Sequence, residues 1–116
     1  MTDDTITAHI VEAMLALEAA EKAAASRAGE ESLGEWSLAW GSVVTARGAL
    51  SAAAPSLDAQ AASREPLAAG DCAEYLRTCA SALDTIGPQA DMPGLMVARA
   101  YIEDVVREVA AISAKL

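Results

Sequence analysis

The sequence predicts an all-α protein, an antiparallel four-helix bundle with a short extra helical turn between helices 2 and 3, folded as a single domain over residues 1–116. Three observations predict it. Alanine, the strongest helix former, supplies 29 of the 116 residues. Large apolar residues recur at intervals of three and four, which is the spacing of one helix face. Two segments also match the capping box that opens many helices.

The first helix is predicted over 5–27. Ile6, Ile10, Met14 and Leu17 follow one another at helical spacing and form one apolar stripe. Acidic or hydroxyl residues at positions 3–5 can cap its start. Gly29 is a plausible end signal, since glycine commonly terminates helices.

The second helix is predicted from a capping box, Ser32 with Glu35, to Ala53. Its expected inner seam has regular spacings of three and four and contains one cation: Leu33, Trp36, Trp40, Val43, Arg47 and Leu50. Pro55 ends the helix, because proline cannot continue it. A short helical turn follows over 56–64, and 66–70 is expected to be a loop.

Three glycines on the second helix, Gly34, Gly41 and Gly48, recur every seven residues. Each glycine inside a helix costs about 0.8–1 kcal/mol relative to alanine. Their common face therefore predicts a backbone passing close by. A neighbouring helix of the same chain is the first interpretation; a second molecule is the alternative.

The third and fourth helices complete the bundle. Asp71 with Glu74 repeats the capping-box spacing, and Gly87 with Pro88 ends the third helix after Ile86. The inward residues expected on the third helix are Tyr75, Leu76, Cys79, Leu83 and Ile86. Asp91 can cap the fourth, whose seam is the most regular in the chain: Leu95, Ala98, Ile102, Val105, Val109, Ile112 and Leu116.

The formal net charge is −9. Residues 1–35 carry eight acids and two bases, a net of −6, so the first third holds most of it. Direct binding to nucleic acid or to an anionic membrane needs a basic surface, which this composition lacks. A basic protein partner is compatible with it.

The amino terminus is acidic and has no signal-peptide pattern, and no apolar run is long enough to span a membrane. Cys72 and Cys79 are about 10.5 Å apart along a helix axis, too far for a disulfide. We therefore expect a cytoplasmic protein with two reduced cysteines.

Side chains that could carry chemistry are few. His9 and Glu12 lie one turn apart, but a single histidine cannot complete a di-iron site. Glu18 and Glu21 resemble half of the acidic set with which helical pyrophosphohydrolases hold Mg²⁺. No complete ligand set is visible, so no metal, cofactor or catalytic residue is predicted, and a magnesium-dependent hydrolase remains an alternative.

Trp36 and Trp40, one turn apart beside Gly41, can either anchor the core or form a protein-binding hot spot. The leading interpretation is a non-catalytic inhibitor or immunity-type protein that occludes a basic, nucleic-acid-binding protein. Phage inhibitors of host defence nucleases, including anti-CRISPR proteins, share this composition. A homodimeric adaptor is the other alternative. The expected partner-binding residues are Glu18, Glu21, Glu30, Glu31, Trp36, Trp40 and Gly41.

Overall fold

A computed structural model describes residues 3–30, 34–64, 70–87 and 93–114. Within these ranges the chain forms helices and no strand, which confirms the all-α prediction. The elements are α1 (Asp3–Glu30), α2 (Glu35–Ala53), a 3-10 turn (Pro55–Leu57), α3 (Asp58–Ala62), α4 (Cys72–Ile86) and α5 (Pro93–Ala114).

The four long helices pack as a bundle. Helix α1 contacts α2 and α4, and α5 contacts the same two helices, while α3 packs against α1. The molecule measures 45 × 26 × 20 Å. A 28-residue helix is about 42 Å long and a helix is about 10 Å across, so α1 sets the length and two helices set each width.

Alanine fills much of the core on the first two helices. Four alanines of α1 are fully buried among its larger apolar residues: Ala13, Ala16, Ala20 and Ala24. The large residues of the predicted α1 stripe are buried as expected, except that Ile6 is only partly covered. Small side chains let helix axes approach closely, and close approach compensates for the scarcity of large residues.

The predicted seam of α2 is wrong at two positions. Its buried residues are Trp36, Ala39, Val43, Ala46 and Leu50. Trp40 and Arg47 lie outside the core, and Ala39 and Ala46, each one position earlier, take their places. Both sets fit a spacing of three and four. The observed set keeps the charge of Arg47 out of the core, where its desolvation would cost free energy.

The seam of α5 is confirmed over the described residues, because Leu95, Ala98, Ile102, Val105, Val109 and Ile112 are all buried; Leu116 lies outside them. On α4 the predicted residues Leu76, Cys79, Leu83 and Ile86 are buried, whereas Tyr75 is half-buried. Cys72 and Ala82 join the core in addition.

The predicted helix ends have mixed outcomes. The Asp71–Glu74 capping box is present: the backbone N–H of Glu74 donates to Asp71 at 2.8 Å, and the N–H of Asp71 donates to Glu74 at 3.4 Å. Gly87, at φ +55°, ends α4. Helix α2 begins at Glu35, after Gly34 at φ +79°, and so starts later than a cap at Ser32 predicts. Ser32 and Asp91 lie outside the described residues, and α1 continues one residue past Gly29.

Candidate protein-binding surfaces

The predicted acidic pair on α1 is engaged within the chain. Glu18 lies 3.6 Å from the Nζ of Lys22. Arg47 of α2 donates a hydrogen bond to Glu21, whose side chain is only 20% exposed. Each carboxylate therefore has a cation beside it, and the negative potential that the sequence predicts over this face is partly cancelled. Glu30 is the last residue of α1, and Glu31 lies outside the described residues.

Glu18 nevertheless stays at the outer surface. Its side chain is 38% exposed and lines two clefts, one beside Tyr75 of α4 and one beside Arg47 and Asp58. Over the described ranges, no group of three or more histidine, cysteine or acidic residues is arranged to hold a metal ion. The magnesium-hydrolase alternative gains no support from this geometry.

The two tryptophans do not share a face. Trp36 is 3% exposed, and the guanidinium of Arg27 lies over its ring, 5.8 Å from the centroid. Trp40 is 42% exposed. Four residues turn a helix by about 400°, so the second ring is rotated by about 40° from the first. That rotation carries it out of the core, and of the two only Trp40 is available to a partner.

Within the described ranges, the glycine face of α2 contacts no other helix. A Cβ built on Gly41 or Gly48 would have no neighbour within 4 Å, and both residues are exposed. The first interpretation of the heptad glycines, a close helix of the same chain, is therefore wrong. The close intramolecular approach occurs instead at Gly94 of α5, whose added Cβ would lie 3.0 Å from the Cβ of Ala53.

Among the described residues, the large apolar side chains that are exposed lie on two adjacent helices. They are Leu38 (71% exposed), Trp40 (42%) and Val44 (40%) on α2, with Met96 (78%), Val97 (54%) and Tyr101 (43%) on α5. Of these six residues, only Trp40 was predicted from the sequence to bind a partner. Leu38 and Val44 could have been predicted as well, because they are apolar residues of α2 that lie off its seam.

A polar surface cleft of about 370 Å³ lies between α1 and α4 and is lined in part by His9, Glu12, Arg77 and Ser81. His9 Nδ1 lies 3.8 Å from the Glu12 carboxylate, so the two form an ion pair when the imidazole is protonated. These side chains give the cleft both signs of charge.

Both cysteine thiols are buried and stay protonated at neutral pH. Burial raises the pKa of Cys72 to about 11, and burial raises the pKa of Cys79 further. The Cys72 thiol donates to the carbonyl oxygen of Ala20 at 3.5 Å. Since the thiolate is the nucleophile, neither cysteine is activated for covalent catalysis.

Comparison with protein-family models, with curated proteins and with solved structures finds no match to this chain. In the part of the chain that the structure describes, no helix is both long and apolar enough to cross a bilayer. Its function is therefore inferred from the residues and surfaces described above.

Proposed function

We propose that this chain is a non-catalytic interaction protein of the inhibitor or immunity type, which covers a basic surface of a nucleic-acid-binding protein. It acts in the cytoplasm, where its two buried cysteines stay reduced. Its acidic residues, those of α1 above all, face the partner and take the place of the nucleic acid.

The scaffold proposed for this role is an antiparallel four-helix bundle. Two contacts between α1 and α2 support it: Arg27, late in α1, lies over Trp36 at the start of α2, and the earlier Glu21 meets the later Arg47. Asp84, late in α4, pairs with Arg99, early in α5, which supports an antiparallel arrangement of these two helices as well.

One observation carries the proposal: four of the eight cations lie beside acids of the same chain, and the charge that remains in excess is acidic. Lys22, Arg47, Arg99 and Arg107 each lie beside an acid of the same chain. Among the described residues no charged side chain is buried. The charged side chains of the described residues are therefore displayed to solvent. In a chain of net charge −9 their acidic excess attracts a basic surface and accelerates encounter with it.

Capture of the partner from the native cellular context, followed by association kinetics, tests the proposal. The informative variant is Glu18→Lys, since this side chain is partly exposed on α1. The matched control is Glu103→Lys on α5, also exposed, which changes the net charge equally. We expect the association rate to fall several-fold for Glu18→Lys at low salt and less for Glu103→Lys. Raising the salt concentration should weaken binding of the unmodified chain, because salt screens the attraction.

A captured partner without a basic surface would contradict the proposal. So would an association rate that is indifferent to salt and to both substitutions. Loss of nucleic-acid binding by the captured partner, in proportion to the amount of this chain added, would support occlusion directly.

A further inference from the structure

Helix α2 carries large apolar residues on its inner side and on its outer side. Its inner side carries the buried seam, and its outer side carries Leu38, Trp40 and Val44, each at least 40% exposed. Between Glu35 and Ala53 the only charged residues are Glu35 and Arg47. The outer side of α2 therefore presents three large apolar side chains among small uncharged residues such as Ser37, Gly41 and Thr45.

The adjoining edge of α5 continues this surface. Gly94 faces Ala53 of α2 at close range. Val97 and Tyr101 follow Gly94 at intervals of three and four and so lie on the same side of α5, turned toward α2. Both are exposed, at 54% and 43%.

The exposed apolar residues would cover a large part of a dimer interface. At about 200 Å² for a fully exposed large side chain, the five exposed residues on this surface (Leu38, Trp40, Val44, Val97 and Tyr101) present roughly 500 Å². The largest apolar patch on a typical monomer is about 300–600 Å², and a standard interface buries about 800 Å² per partner. Small residues and a polar rim would supply the remainder.

We infer that α2, with this edge of α5, is the interface of a two-fold dimer of this chain. Charge favours a second copy over a basic partner at this surface. Between Trp36 and Ala53 the one charged residue of α2 is Arg47, which pairs with Glu21 of its own chain, so the outer face of α2 offers a basic protein no carboxylate to bind. Two chains of net charge −9 repel each other, and they come together at lowest cost where neither presents charge.

The arrangement of small and large residues on α2 is self-complementary. Gly41 and Gly48 stand at equal distances on either side of the Val44–Thr45 step, at the centre of the helix. A two-fold axis through that step places Gly41 of one copy against Gly48 of the other, with the two helices antiparallel. Neither glycine has a neighbour within 4 Å of its added Cβ. Side chains of α2 from the second copy can therefore pack over both glycines.

Sedimentation equilibrium of the full chain over a wide concentration range tests the inference, with 11.9 kDa as the monomer mass. We expect the mass to approach twice that value as concentration rises. Val44→Glu places two like charges beside the axis and should raise the dimer dissociation constant at least tenfold. Ala25→Glu, on an exposed position of α1, adds the same charge and should leave it unchanged.

Salt separates this dimer from the basic partner of the proposed function. Screening removes repulsion between like-charged copies, so the dimer should tighten as salt rises, whereas binding of a basic partner should weaken. A chain that stays monomeric at several hundred micromolar overturns the inference. A dimer that Val44→Glu does not weaken, or that salt dissociates, overturns it as well.

Cross-linking tests the position of the axis. Thr45→Cys, treated with oxidised glutathione, should form a covalent dimer faster than Ser26→Cys, an exposed site on α1. The native cysteines are buried and should stay unreacted in both variants. Equal or slower cross-linking at position 45 would contradict this register.

Discussion

Trp36 and Trp40 lie one turn apart on α2, yet only 3% of Trp36 is exposed against 42% of Trp40. The first ring is the largest side chain in the core of a protein that has no phenylalanine. The second lies outside the core and is partly exposed on the outer side of α2. The same residue type therefore stabilises the fold at one position and is available for association at the other.

Alanine substitution should separate these roles. Trp36→Ala should lower the free energy of unfolding by about 3–5 kcal/mol, since it empties a buried site. Trp40→Ala should lower it by less than about 1 kcal/mol. Urea unfolding of both variants at a concentration where the chain is monomeric measures the difference. Equal losses would mean that Trp40 also packs within its own chain.

Glycine-to-alanine substitutions at two sites should have opposite effects on the free energy of unfolding. At Gly41 a Cβ meets open space, so alanine should stabilise the monomer by about 0.8–1 kcal/mol through helix propensity alone. At Gly94 it would lie 3.0 Å from the Cβ of Ala53 and 3.2 Å from its Cα, so alanine should destabilise by about 1–3 kcal/mol. Thermal unfolding measures both effects: the midpoint should rise for Gly41→Ala and fall for Gly94→Ala.

Gly34 provides a control for that comparison. Its surroundings are as open as those of Gly41, but its φ is +79°. Alanine there should destabilise by about 1–2 kcal/mol because of backbone strain alone. A gain in stability at Gly34 or at Gly94 would contradict the geometry described for that residue.

Stability should fall at alkaline pH because of the buried thiols. Burial raises the pKa of Cys72 from 9.0 to about 11 in the folded chain, so between those values the unfolded chain loses a proton that the folded chain keeps. Ionisation then favours unfolding. The contribution is fully present below pH 9 and declines above it, by up to about 1.4 kcal/mol per pH unit for each such thiol.

Urea unfolding of the unmodified chain and of Cys72→Ala, at pH 7 and at pH 10, measures that contribution. The variant should lose less stability between the two pH values, whatever its stability at pH 7. Identical losses would show that the Cys72 thiol does not contribute to the alkaline slope.

Much of the fold could be read from periodicity, since α5 and α4 each carry one unambiguous apolar stripe. Helix α2 could not be assigned in the same way. Its apolar residues fit two seams, one through Trp40 and Arg47 and the other through Ala39 and Ala46, and alanine gives no strong preference. The acidic pair of α1 posed a similar problem, because spacing along one helix does not reveal that Arg47 approaches Glu21 from another.

The sequence by itself determined that the chain is helical, where the α4 cap lies and that the net charge is strongly negative, because propensity, capping and charge are local or additive properties. Tertiary structure alone decided which face of α2 turns inward, which tryptophan is buried and whether the heptad glycines have a neighbour. Those outcomes depend on how closely alanine-lined helices approach one another, and that distance is a property of the packed bundle.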